Sequence, residues 1–395
     1  MAFDLTQANA VLKEDYLGPV REQLNNDNYV ISKLVQNKQE ATGKEFNVPL
    51  HTGRNNGIGY RAEGAALPTA GNQKYKTSNA NVKYLYGGIE ITGPTIKAMR
   101  NDKGAFIRAV ESEMKGLTKD LKDQRARALF GDGTGRMATF AVNTAVNTLT
   151  VDKIKYLQEG MKVDIVNASG TVTIPGRTIT AVSRSAKTIT IDGGAVTTAA
   201  TDFVVLNGDY NVEAMGIGGI MNPALALQGI DPSLAGNSFW KPGIISNSGT
   251  LRALSLPLMR QAADTSELDG GKIDLITTSY GVRAAFEALL QQNVRYTSPM
   301  KLEGGYDALE WDGKALVVDR YHESNRMNFL DTSEIDLYQL SDFEWMEDDK
   351  GAALAPVPGY DKYAATMFCY ETLVTYKRNA HVGLTDLTEA TGYAV

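Results

Sequence analysis

This chain of 395 residues contains one cysteine, Cys369, so no internal disulfide can form and no paired-cysteine zinc spacing exists. Disulfide-stapled secreted scaffolds and zinc ribbons are excluded. Histidine is nearly as scarce. His51, His322 and His381 stand apart, none in a metal-pair spacing and none beside a Ser or Cys nucleophile. The chain therefore reads as a non-enzyme, with no catalytic residue, metal ligand or cofactor assigned. No run approaches the roughly 18 apolar residues of a membrane span, and the first residues lack a basic region leading into an apolar core. The expected setting is a reducing cytoplasm without membrane contact.

What is present is a foldable composition: 43% hydrophobic residues, with 40 basic against 46 acidic side chains and a net charge of −6. That length allows two or three packed units and excludes disorder as the whole answer. The acidic balance argues against a surface that binds nucleic acid all over, so any basic face has to be local.

Residues 1–45 read as an arm of short amphipathic pieces (Ala8–Tyr16, Pro19–Leu24, Tyr29–Val35), none long enough to hold a helix alone. From Phe46 to Ile91 the sequence is extended and broken by glycine, with about 30 residues nearly free of large aliphatic side chains. Its charge is lopsided: Arg54, Arg61, Lys74, Lys76 and Lys83 against Glu63. This predicts a hairpin that leaves its own domain to lie on an acidic partner, the alternative being a solvated loop. Next, Ile107, Val110, Met114, Leu117 and Leu121 recur at helical spacing, predicting one helix from about Thr95 to Phe130, bent near Gly104. Gly131-Asp132-Gly133-Thr134-Gly135 has the glycines of a phosphate cradle but follows a helix and precedes strands, the reverse of the order that binding requires.

Thirteen threonines between 139 and 201, with short alternating runs at 161–165, 171–174, 177–182, 187–191 and 202–206, predict a small inserted β-barrel or sandwich. Beyond it lies a mixed region. A helix is expected over 249–263 with Leu251, Leu254, Leu258 and Ala262 on one face, and a strand over 272–277. A helix capped by Ser279 should follow, then a hairpin turning at Asp312-Gly313, and strands over 326–330 and 334–340. Asp331–Asp349 holds eight acids and no Lys or Arg. Last, an alternating strand over 366–378 places Met367, Cys369, Glu371, Leu373 and Thr375 on one face.

This order of elements resembles the major capsid protein of tailed bacteriophages, the Hong Kong-phage-type shell fold shared with herpesvirus floors and encapsulins. Three segments carry the resemblance: Ala126-Arg127-Ala128-Leu129-Phe130-Gly131-Asp132-Gly133-Thr134-Gly135, Met215-Gly216-Ile217-Gly218-Gly219-Ile220-Met221-Asn222, and Leu309–Leu340 with Trp311-Asp312-Gly313-Lys314 and Asn328-Phe329-Leu330-Asp331. The resemblance implies an α+β capsid fold with an all-β insertion. Its parts would be an N-terminal arm (1–45), an extended β-loop (46–92), the spine helix of a peripheral domain (93–135) and an inserted β domain (136–213). A return to the peripheral domain (214–239), an axial domain (240–355) and a peripheral C-terminal strand and tail (356–395) would complete the chain.

The resemblance also implies a virion protein that assembles in the host cytoplasm into hexamers and pentamers of an icosahedral or prolate head. Its expected partners are a separate scaffolding protein (or the chain is already trimmed), a portal, a decoration protein, and double-stranded DNA held without sequence specificity. The intersubunit contact candidates are Arg54, Arg61, Glu63, Lys74, Lys76 and Lys83 on the loop, and Asp342, Glu344, Glu347, Asp348 and Asp349 on the acidic segment. Competing readings are an encapsulin-like nanocompartment and an extracellular β-rich carbohydrate-binding protein.

Overall fold

The long apolar stripe becomes the helix Lys103–Leu129, preceded by the short helix Gly93–Ala98, in a computed structural model that describes residues 30, 33–34, 38–40, 45–98, 103–292, 300–301, 307–347 and 354–393. The helix expected over 95–130 is described in these two stretches. Residues 99–102 between them lie outside the described residues. Of the expected arm, Val30 and Leu34 are described and buried against Ala126 and Phe130 of the long helix end; the pieces at 8–16 and 19–24 lie outside the described residues.

The long helix crosses one face of a five-stranded sheet. The central strand, Lys362–Thr375, pairs antiparallel with Ile335–Trp345 on one side and with Lys83–Thr92 on the other. Lys38–Glu40 and Ala355–Pro356 complete the sheet. Met114, Leu117 and Leu121 pack on Leu85, Ile89, Phe343, Trp345 and Met367. A Cβ at Gly87 would lie 2.8 Å from the Leu117 side chain, so this glycine lets helix and sheet meet closely. Met367, Cys369, Glu371, Leu373 and Thr375 all face inward, as their alternation predicts.

The extended loop is a hairpin of Glu45–Gly53 with Lys74–Asn81. It is shorter than 46–92, because Lys83–Thr92 belongs to the sheet rather than to the loop. At its base Phe46, Ala80 and Val82 pack on Val374, and Phe46 lies 4.7 Å from the Tyr338 ring.

The threonine-rich island is a separate layer. Six strands follow the order Ala138–Thr139, Phe203–Leu206, Lys162–Val166, Val172–Ser183, Thr188–Ile191, Thr148–Thr150, with a ribbon of Asn143–Val146 and Val196–Thr198 beside them. Leu149, Ile154, Leu157, Val163, Ile165, Ile179, Ile189 and Val204 form its own core. The two strands expected at 171–174 and 177–182 are one continuous strand, which carries Pro175-Gly176 through an irregular register. Four strands of two to four residues escaped notice because so short a run shows no alternation. The module's ends meet: Asn211 N donates to Thr134 O at 3.2 Å, and Asp132 bridges Met215. Gly133 and Gly135, at φ +80° and +79°, make the turn into it.

A seven-stranded mixed sheet completes the molecule. It runs Gly243–Ile245, Val382–Leu384, Met327–Leu330, Leu275–Thr278, Lys314–Val318, Asp307–Trp311, Met300–Lys301, flanked by the helices Leu256–Leu268 and Tyr280–Gln292. The helix expected over 249–263 begins later. Ser255 Oγ accepts from Leu258 N at 3.4 Å with a proline following, so Leu251 precedes the helix and is exposed. Its buried face is Met259, Ala262, Ala263 and Ser266. The hairpin turns at Asp312-Gly313, both at positive φ, as predicted. The limits drawn at 240–355 and 356–395 do not follow the sheets. Ile335–Trp345 joins the five-stranded sheet and Val382–Leu384 the seven-stranded one, because each finds its hydrogen-bonding edge there.

Residues 134–212 expressed alone should fold as an all-β unit with a single cooperative urea transition, since that core draws almost wholly on its own strands. A non-cooperative or absent transition would show that the module depends on the rest of the chain.

Candidate functional site

The hairpin beyond its base projects from the body. Arg54, Arg61 and Glu63 are exposed in the segment between its strands, and Lys74 is exposed where the second strand begins. Among them stand three exposed apolar side chains that the sequence reading passed over: Ile58 (62%), Tyr60 (104%) and Leu67 (86%). The arm supports itself, with Asn55 Nδ2 donating to Gly71 O at 2.8 Å and His51 Nε2 2.8 Å from Gln73 Oε1.

Two candidate lysines are engaged within their own chain. Lys76 donates to the Asn237 side chain and lies 5.9 Å from the Phe239 ring centroid. Lys83 is half-buried, donates to Asn211 O at 3.4 Å, and burial lowers its pKa. Lys76 stays exposed while making these contacts, whereas Lys83 is partly covered. Asp342 and Glu344 lie at the far end of Ile335–Trp345 and Glu347 is exposed just beyond it; Asp348 and Asp349 lie outside the described residues. The hairpin leaves the opposite end of that sheet, so the basic and acidic groups do not meet within one chain.

The sheet face opposite the long helix is open and aromatic. Tyr84 and Tyr86, each about half exposed, alternate with Leu85 and Gly87, which face the helix. Tyr370 meets both edge-on, at 5.1 and 5.9 Å, and Phe368 lies 4.8 Å from Tyr370. Glu344 is the cross-strand partner of Phe368, which places an acid at the rim of this patch. The alternation of Tyr84 and Tyr86 was visible in the sequence; its pairing with residues some 285 positions later was not.

The inner face carries charge under cover. Arg125 Nε donates to Glu371 Oε1 at 2.8 Å and its Nη2 to Oε2 at 2.5 Å, while Gln339 Nε2 reaches Oε2 at 3.1 Å. Burial opposes the Arg125 charge, but Glu371, with smaller contributions from Cys369 and Asp342, offsets it and the net pKa is raised. Next to it Arg127 pairs with Glu213, to which Gln124 also donates at 2.8 Å. Arg378, fully buried, pairs with no carboxylate among the described residues. It donates to the carbonyls of Ile220 (2.8 Å), Gly219 (2.9 Å), Leu225 (2.9 Å), Trp240 (3.3 Å) and Asn222. Burial lowers its pKa, yet a guanidinium stays protonated at neutral pH. Among the described residues no group of three or more His, Cys, Asp or Glu is placed to hold a metal ion, and no helix is long and apolar enough to cross a membrane.

No family model and no curated protein matches the sequence. Solved structures do. The capsid asymmetric unit of cyanophage A-1(L) superimposes with a TM-score of 0.58, covering 91% of this chain and 92% of that one at 13% identity. The chain has the shell fold of tailed-phage capsid proteins. Other matches include the SrpI encapsulin complex of Synechococcus elongatus (TM-score 0.49, 9% identity, 92% and 89% covered) and the capsid of an empty GTA particle (0.48, 9%, 90% and 90%). With so few identical residues the likeness is one of fold, and the capsid fold's chemistry here has to be read from this chain's own side chains.

Arg378→Lys leaves at least two of five buried carbonyls without a donor, since an ammonium has three hydrogens. It should cost about 2–5 kcal/mol in urea unfolding of the unassembled subunit. A loss below 1 kcal/mol would show that water replaces the guanidinium.

His322 and His381 are buried, and burial lowers both pKa values to about 4 from the ordinary 6.5. His381 Nδ1 accepts from Asp331 N at 3.3 Å and its Nε2 donates to Thr375 Oγ1 at 3.1 Å, so a second proton would point at an N–H. The unfolded chain binds these protons first. Stability is therefore complete above pH 6.5 and falls as pH drops toward 4, by on the order of 3 kcal/mol per histidine. Thermal melts should show this fall, reduced in His381→Gln; a slope identical to that of the unaltered chain would remove His381 as its source.

Proposed function

We propose that this chain is the major head-shell subunit of a tailed bacteriophage, a structural protein that closes through hexamers and pentamers around double-stranded DNA. The observation that carries the reading is the arm at residues 51–75. It presents Ile58, Tyr60 and Leu67 to solvent, uncovered by any of the described residues, and a large exposed apolar group on a projecting element calls for a partner. The capsid fold supplies that partner as a second copy.

In this reading the five-stranded sheet and long helix form the peripheral domain, the seven-stranded sheet the axial domain at capsomer centres, and 134–212 the insertion. The arm of one copy lies on the open aromatic face of the next, with Arg54, Arg61 and Lys74 toward Asp342, Glu344 and Glu347. Magnitudes rank the two contributions. An exposed ion pair contributes ~0.2–1 kcal/mol, whereas burying a side chain the size of Leu67 contributes ~1.5–3 kcal/mol, so apolar contact supplies most of the affinity and charge the orientation. Each interface is weak alone and multiplied around the shell. Scaffolding protein, portal and decoration protein would act from outside the chain, and DNA would be contacted without sequence preference.

Tyr60→Ser with Leu67→Ser should leave circular dichroism unchanged and abolish particles, whereas Arg61→Glu should reduce yield several-fold and respond to salt. Normal yields from all three substitutions combined would mean the arm is not an intersubunit element. Electron micrographs showing DNA-filled heads with one portal vertex fit a phage head; an enclosed enzyme would instead indicate a nanocompartment.

A further inference from the structure

One rung divides the hairpin in two. On the near side of the pair Leu50 and Lys76, the side chains of Phe46, Val48, Leu50, Ala80 and Val82 pack on the body. On the far side, residues 51–75 touch mainly one another. At this rung Lys76 reaches out of the hairpin, donating to Asn237 Oδ1, with Gly236 O at 3.5 Å. Asn237 is itself held, since it is buried and its Nδ2 donates to Asp231 O at 2.6 Å. Trp240, three residues on, is fixed through Nε1 to Leu227 O at 3.0 Å and through its carbonyl to Arg378. One further backbone bond, Asn79 N to Gln228 O at 2.9 Å, ties the hairpin base to the same segment.

We propose that Lys76 is the fulcrum clamp of the arm: it sets the direction in which the hairpin leaves the body, and hence where a second copy must lie to receive it. The inference rests on the shell reading. At ~3.3 Å per extended residue the tip stands about a dozen residues from the rung, so a tilt of roughly 10° there moves it by about 7 Å. That is enough to miss a patch built from four aromatic rings. Lysine suits the position because its flexible stem spans the gap while its ammonium takes two acceptors at once.

The test uses the full chain as unassembled subunits, followed by amide hydrogen exchange. In Lys76→Met, which keeps the stem, amides at 50–53 and 74–76 should exchange about tenfold faster while those at 45–48 and 78–82 stay unchanged. Asn237→Ala should do the same, and the double variant should be no faster than either single one. Assembled particles of Lys76→Met should spread in diameter. Unchanged exchange, additive effects, or a native diameter distribution despite a loosened rung would each overturn the clamp. Should the unaltered chain form no particles, the shell reading falls, and exchange alone still decides whether Lys76 holds the rung.

Discussion

A single guanidinium at the crossing point of the chain holds the architecture together. Arg378 lies between the end of the five-stranded sheet's central strand at Thr375 and the seven-stranded sheet's Val382–Leu384. Its donors are spent on carbonyls of residues 219–225 and 240, which follow the inserted module. That segment in turn presses on the long helix end, where a Cβ at Gly216 or Gly218 would come within 2.5 Å of helix-end carbonyls. Two sheets, a helix terminus and the module's exit thus share one positive charge. A carboxylate partner would satisfy only two or three donors from one direction; converging carbonyls satisfy all of them and fix five backbone positions.

The subunit distributes polarity in an unusual way. Arg125 and Arg127 of the long helix are buried with Glu371, and with Glu213 near Asp209, whereas Tyr84, Tyr86, Tyr60 and Leu67 stand in solvent. Buried ion pairs add little net stability, since desolvation offsets attraction, but they punish any other seating of the helix on the sheet. Specific polar contacts therefore govern how the chain folds on itself. Exposed aromatic and aliphatic groups are left to govern what it joins. The Lys76 contact connects the two, because it couples the arm's direction to the segment that Arg378 holds.

Much of this was legible beforehand. The helix seam through Met114, Leu117 and Leu121, the alternation from Met367 to Thr375, the Asp312-Gly313 turn and the separateness of the threonine-rich module all rest on periods and turn chemistry that act within a few residues. The helix starting at Leu256 rather than 249 was legible too, in Ser255 and Pro257, but the apolar pattern outweighed them. Of the candidate contact residues, Arg54, Arg61 and Lys74 stand outward as their polar surroundings suggested. Lys76 and Lys83 turn back on residues 236–237 and 211, and composition offers no signal of that.

By itself the sequence determined most of the elements and their order, because helix and strand periods are properties of local stretches. Which edges pair, which sheet receives Ile335–Trp345 and Val382–Leu384, and which cations face outward were decided only by tertiary structure. A hydrogen-bonding edge or a cluster of carbonyls exists only after distant segments have met, and it then selects its partner by geometry that no single stretch of chain contains.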